Sequence, residues 1–376
     1  MSNLQSDAGL PVAVVGAGLS GLIAASLLEA QGRDVVLVEA RQRIGGRIEG
    51  AGDSGAKHRL DLGPSWIWPE INSHLDYWLR ELGLSTFVQH THGISLIELA
   101  NLDIHQRANI FLSSPPSRRV DGGTVVLVET LHRRLRCTRT ELGAQLVGLR
   151  KIESGIVTLA LERNGCRDTL PVHSVVLTLP PRLLAKHVDW YPMLPAKLPR
   201  LWQESATWMA GQAKFVASYS KAFWREKGLS GSCASYAGPL VEIHDACDAS
   251  GNDASLFGFL GVPPQGRSRL CKHELIDRSV QQLGRLFGPD ALRPERVWLK
   301  DWAEESYTAT TADAIGIAKH PSPLPTDLPE PWHGRVFLSG TEFATDFAGY
   351  LEGAVRAAEQ AVEDWARHQA SDYTAA

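Results

Sequence analysis

An α/β protein of two domains is what this sequence predicts, and three observations predict it. The chain has 376 residues, enough to bury two sizeable cores. Its opening, "PVAVVGAGLSGLIAASLLEAQGRDVVLVEA", reads as strand, glycine turn, helix and strand in direct succession. Far downstream, "GQAKFVASYS" alternates with period two and predicts a strand in the sheet of the second domain.

The opening justifies a dinucleotide-binding unit element by element. Val12 to Val15 form the first apolar run, and Gly16, Gly18 and Gly21 follow with GxGxxG spacing. The first glycine allows the tight turn, the second lets a pyrophosphate reach the backbone, and the third lets helix and strand pack closely. The helix that begins near Ser20 offers free N–H groups and the positive end of its dipole to phosphate. A second apolar run, Val35 to Val38, ends at Glu39, placed to accept hydrogen bonds from ribose hydroxyls. Glu39 would repel the extra phosphate of NADP. The loop after it, "ARQRIGGRIEG", carries Ala40, Arg41, Arg43 and Arg47 around Gly45–Gly46, groups suited to a second phosphate or an adenosine half. FAD fits this Rossmann-like unit best.

Composition excludes several classes of function. With 44% hydrophobic and 21% charged residues the chain reads as globular, and a net charge of −4 without a basic, aromatic-laced stripe argues against nucleic acid. Five scattered cysteines form no metal-like spacing and suggest reduced thiols, hence a cytoplasmic location. No signal pattern or spanning segment is evident, so no membrane partner is expected, nor is a metal. His90 and His92 are expected in a loop, "EIHDACD" (242–248) in a surface turn, and "KHPSPLPTDLPEPWHG" in a connection.

On these motifs the chain resembles the flavin amine oxidase family, through "VVGAGLSGL…VVLVEARQRIGGRI" at one end and "VFLSGTEFATDFAGYLEGAVRAAEQAV" (336–362) at the other. Segments between them resemble the family in order. "LDLGPSWIWP" would place Gly63, Ser65 and Trp66 beside the isoalloxazine ring, with Pro64 replacing a glycine. "RVDGGTVVLVETL" (119–131) resembles a segment that re-enters the FAD domain, and "SVVLTLPPRLL" (174–184) one that leaves it. "GAQLVGLRKI" implies an adenine contact from Val147. Near the end, Gly340 and Glu342 are implied for the ribityl or pyrophosphate part, and Gly349, Tyr350 and Leu351 for the pyrimidine edge.

The resemblance also bears on Lys214. Alternation alone puts Lys214, Val216, Ser218 and Ser220 on one face, where a solvated charge would suffice. In the family, a lysine in such a strand, followed by an aromatic pair (here Phe223–Trp224), holds a water against flavin N5. Trp302 matches a tryptophan packed near the flavin. After it the sequence departs: Ala309, Thr310, Thr311 and Ala312 stand where a flavin-linked cysteine and an aromatic occur in relatives. FAD is therefore expected to be noncovalent, with Tyr350 and Trp66 the aromatic groups facing substrate. Only 55 residues separate Trp66 from Gly122, a short cover that implies a more open active site, for a bulky amine or one presented on a carrier or partner, or else a lost substrate cavity.

The resemblance implies a three-segment FAD domain (1–75, 118–203 and 305–376) and a substrate domain of mixed sheet and helices (76–117 and 204–304). It implies oxidation of an amine C–N bond to an imine, with O2 reduced to hydrogen peroxide. Two alternatives stay open: a desaturase acting on a C–C bond, and a flavin-stabilised interaction module without catalysis.

Overall fold

In the computed structural model, residues 9–52, 58–108, 110–152, 155–315 and 320–375 are described. The chain divides into two units, each built from several segments. The first comprises Met1–Arg47, Leu127–Trp208 and Ala318–Ala376, the second Ile48–Val126 and Met209–Ile317. Residues 48–75, 118–126 and 305–317, expected with the FAD domain, fall in the second unit.

The first unit is organised by a parallel five-stranded sheet. Its spatial order is Val336–Leu338, Ser174–Leu177, β1 (Val12–Val15), β2 (Val35–Glu39) and Arg139–Leu142. Every residue of β1 and β2 is buried, as in a sheet covered on both faces. Helix α1 (Leu19–Ala30) makes the crossover between them. Gly21 sets their spacing: a Cβ there would lie 1.8 Å from the Gly16 carbonyl oxygen. An adjoining four-stranded sheet contains Gln145–Lys151, where the register shifts between Leu146 and Gly148, leaving Val147 at the irregularity. The chain closes with the long helix Leu351–Ala375.

The second unit is built on a seven-stranded mixed sheet. In spatial order its strands are Arg296–Asp301, Ala213–Tyr219, Ala254–Leu260, Leu240–Asp245, Leu229–Ser235, Ile94–Glu98 and Ile104–Ala108. One face packs Phe215, Ala217, Leu256 and Ile243 against Leu275, Leu283 and Phe287 of the helix Lys272–Phe287. The other carries Val216 and Phe257 against Ala51, Leu60 and Leu62, with Trp66 and Phe259 alongside. The amphipathic stretch after Pro69 forms the helix Ser73–Glu81. The strand Ile104–Ala108 ends just before Asn109, which lies outside the described residues. The segment expected as a surface turn at 242–248 is instead largely strand: Leu240–Asp245 lies inside the sheet with His244 and Asp245 buried. Among the described residues no helix is long and apolar enough to cross a membrane.

Candidate cofactor site and active site

In the first unit the glycine turn leaves the start of a helix open. Gly18 caps α1 without any side chain bonding the free N–H groups of the first turn. A Cβ on Gly18 would find nothing nearer than 3.9 Å, from Gly45 O and Gly46 Cα. Gly46, at φ +58°, brings the second glycine pair against the first. Glu39 is buried. Its Oε2 accepts from Ala17 N at 2.8 Å and its Oε1 from Arg41 N at 2.9 Å, which fixes the carboxylate at the end of β2 while each oxygen keeps a lone pair. Ala40 follows, partly exposed, at the start of the basic loop.

The end of the chain joins the same unit. Ser20 Oγ lies 2.7 Å from Ser339 Oγ and accepts from Gly340 N at 3.1 Å. Glu342, 1% exposed, is held by Arg47 through a bidentate pair of 2.7 and 2.9 Å. Each Glu342 oxygen thus accepts one hydrogen bond from the guanidinium, and the Arg47 side chain stays 28% exposed. At the start of the last helix, Thr341 Oγ1 donates to Tyr350 O and accepts from Gly349 N, a clasp that positions Leu351. Tyr350 is 42% exposed, and its ring is stacked on His320 (5.1 Å), which stacks in turn on Trp208 (3.6 Å). Its hydroxyl is 3.2 Å from His320 Nε2. Sequence reasoning missed Trp208 and His320; the Pro-rich stretch around His320 carries no periodicity to mark a ring stack.

In the second unit Lys214 is 2% exposed, not solvated. Its Nζ donates to Gly63 O at 3.0 Å and Ser65 Oγ at 2.7 Å, and lies 4.2 Å from the Phe257 ring centroid. Burial draws its pKa down from 10.5 to about 7, against the opposing pull of Asp61 and with a smaller push from Arg119. The loop it grips is clamped at further points. Trp302 Nε1 donates to Leu62 O at 3.0 Å, Thr124 Oγ1 to Pro64 O at 3.1 Å, and Thr124 N to Asp61 Oδ1 at 2.7 Å. Trp66 donates to Gln89 Oε1 at 2.9 Å, and Gln89 donates onward to Asp245 O at 2.8 Å. Lys214, Gly63, Ser65, Trp66 and Trp302, far apart in sequence, thus converge in one unit. Thr124 and Gln89 were not legible in advance, since a single polar residue in a loop has no pattern.

The sequence pattern of the flavin containing amine oxidoreductase family matches residues 90–364, and that of a NAD(P)-binding Rossmann-like domain matches residues 14–82. The chain belongs to the flavin amine oxidoreductase family. Flavin-containing amine oxidase B from Sus scrofa is 25% identical, over 94% of this chain and 85% of that protein. The human amine oxidase B gives the same figures. The match runs over 452 aligned positions, more than the 376 residues here, so the relative carries insertions that this chain lacks. Among solved structures, cyclohexylamine oxidase from Brevibacterium oxydans superposes with a TM-score of 0.78 at 19% identity, covering 96% of this chain and 99% of that one. Wild-type putrescine oxidase bound to putrescine gives 0.77 at 20%, covering 95% and 99%.

The protein is an FAD-dependent oxidoreductase, and the first unit fits its cofactor: an uncapped helix N-terminus, a Gly18 open to close approach, a buried carboxylate at the end of β2 and an arginine held by a carboxylate.

Proposed function

We propose that this flavin amine oxidoreductase oxidises the C–N bond of an amine, with noncovalent FAD and with O2 as the electron acceptor. The observation that carries the reading is Lys214, buried on an aromatic sheet face and bonded to the loop Gly63–Ser65. The chemistry supplied by FAD when bound is hydride acceptance from the carbon bearing an uncharged amine, followed by reoxidation with O2 to hydrogen peroxide. Water hydrolyses the resulting imine to a carbonyl compound and releases ammonia or an amine. The chain's own residues bind and orient. Backbone N–H groups at the start of α1 and the Arg47 guanidinium would hold the pyrophosphate, and Glu39 would take the ribose. Lys214, with a pKa near neutrality, holds or releases a proton at Nζ at little cost, which suits proton traffic during reoxidation. The Phe257 and Phe259 rings lie 4.2 and 5.8 Å from its Nζ, and Trp66 packs against the same apolar cluster. Thr311 stands where some relatives link flavin to cysteine, and this supports noncovalent binding.

The test is anaerobic. A panel of amines is added to the yellow protein, and bleaching of the flavin band is followed by its return on admitting O2. At least one amine should bleach the band, and Lys214→Met should slow the return by about 100-fold, the scale for a positioned proton-transfer group. Acid precipitation should release the flavin into solution. A yellow protein that no amine bleaches would reject the proposal.

A further inference from the structure

The loop that Lys214 grips runs back into a group of buried polar atoms that protein partners leave unmatched. Asp61, 4% exposed, has one carboxylate oxygen fixed: Oδ1 accepts from Thr124 N and Thr124 Oγ1, both at 2.7 Å. Its Oδ2 is buried and has no partner among the described residues. The same is true of both ring nitrogens of His58, three residues upstream, and of Nε of Arg119. The segments that carry these groups lie side by side. Arg59 N donates to Gly122 O at 3.2 Å, and Arg119 Nη1 donates to Cys247 O at 2.8 Å, next to Asp248. Buried groups of this kind are matched by ordered water, which bridges them.

Electrostatics orders the cluster. Lys214 feels the charges of Asp61 and Arg119, and His58 feels these two together with Asp248 and Asp253. Asp248 is half-buried and Asp253 exposed, so the His58 end of the cluster meets solvent. Burial draws the His58 pKa down from 6.5, helped by Arg119 and opposed by the three carboxylates. A ring that is neutral near pH 7 can accept a proton at one nitrogen and donate from the other. The other charged groups on the Lys214 sheet face are engaged elsewhere. Lys300, its cross-strand neighbour, pairs with Glu49 and Glu305, and Glu242 lies 2.6 Å from His244.

Reoxidation needs a route of this kind. Reduction of O2 to hydrogen peroxide takes two electrons and two protons. The hydride taken from the amine supplies both electrons and one proton, and the second proton comes from solvent in every turnover. Lys214, 2% exposed, does not meet bulk water directly. We propose that His58 and Asp61, bridged by ordered water, carry this proton from the Asp248–Asp253 rim to Lys214 Nζ. It enters at one His58 nitrogen, leaves from the other, passes by way of Asp61 Oδ2 and reaches Nζ, which hands it to the reduced oxygen. His58 and Asp61 are positioning residues that act through Lys214. The inference rests on the role in reoxidation proposed above for Lys214, and not on which molecule reduces the flavin.

The test therefore bypasses the amine. The FAD-loaded enzyme is reduced with dithionite and mixed with O2, and the return of the flavin band is timed. His58→Ala should slow the return about tenfold or more, and added imidazole should restore most of the rate. The solvent isotope effect on the return, read in D2O, should be larger in His58→Ala than in the wild type. A second readout needs no turnover. In NMR of the oxidised FAD-loaded enzyme with isotope-labelled lysine, the signal lost in Lys214→Met reports the protonation midpoint of Lys214. Asp61→Asn keeps an acceptor for Thr124 and should lower that midpoint by about one pH unit or more, because it removes the charge that opposes burial. An unslowed return in His58→Ala, a slowing that imidazole does not relieve, or an unmoved midpoint in Asp61→Asn would each overturn the path. A flavin that no amine bleaches, with a return that depends on His58 and is rescued by imidazole, would reject amine oxidation and support the path.

Discussion

A buried lysine with two hydrogen-bond acceptors and an aromatic ring beneath it is an expensive group to place in a sheet. Removing the ammonium from water accounts for the fall in pKa, and only Asp61 among its named charged neighbours opposes that fall. The consequence for stability has a definite sign. Between about 7, the folded value, and 10.5, the ordinary one, the unfolded chain holds more protons than the folded chain. Stability therefore rises with pH through that window. Lys214→Met lacks the group, so the difference in unfolding free energy between wild type and variant should move in favour of the wild type as pH rises. The movement should be several kcal/mol, at most on the order of 5. Urea titrations of the cofactor-free proteins at the two ends of the window would read it, and a flat difference would show that Lys214 stays charged when folded.

At the scale of the element, the three glycines of the opening turn do different work, and substitution separates them. Gly21 has no room: a Cβ would collide with the Gly16 carbonyl oxygen, a backbone atom that cannot step aside. Gly18 has room in the protein itself, since its nearest neighbours lie 3.9 Å from the added carbon. Gly21→Ala should therefore destabilise the cofactor-free protein by about 1–3 kcal/mol, the range for overpacking. Gly18→Ala should leave the melting temperature of the cofactor-free protein nearly unchanged and still weaken FAD binding about tenfold or more, because the added methyl group stands where the pyrophosphate approaches the backbone. Thermal melting and flavin fluorescence titration on the two variants would check this; equal loss of FAD affinity without loss of stability in Gly21→Ala would refute the packing argument.

For the whole molecule, the division into two units predicts where the cofactor's stabilisation is felt. A ligand bound only by the folded state adds about 2.7 kcal/mol at one hundred times its Kd. Hydrogen exchange with and without FAD should show its strongest new protection in the first unit, at the turn Gly16–Gly21 and at the end of β2, the segments expected to bind the cofactor. Strands of the second unit such as Leu229–Ser235 and Ile94–Glu98, which carry none of the expected cofactor residues, should change least. Equal protection throughout would mean that the units unfold as one.

Much of the cofactor-binding half was legible because local chemistry specifies it. A glycine at a positive φ, an apolar run of fixed length and an acid at the end of a strand each act within a few residues, so β1, α1, β2 and Glu39 could be placed from the order of residues alone. The buried lysine could be named but not explained, since period-two alternation fits a wet face as well as a dry one. Only the folded chain brings Gly63, Ser65, Phe257 and Phe259 to Lys214, across separations of up to 151 residues, and so makes it a clamp in place of a solvated charge. The same holds for Glu242 and His244. As a string they resemble a polar turn. Hydrogen bonds between neighbouring strands, a non-local decision, set them in a row with Lys214 and enclosed the imidazole in aromatic rings. Sequence alone determined the cofactor class and the strand–helix–strand unit that opens the chain; tertiary structure decided which side chains share a sheet face, because register depends on strands far apart in the chain.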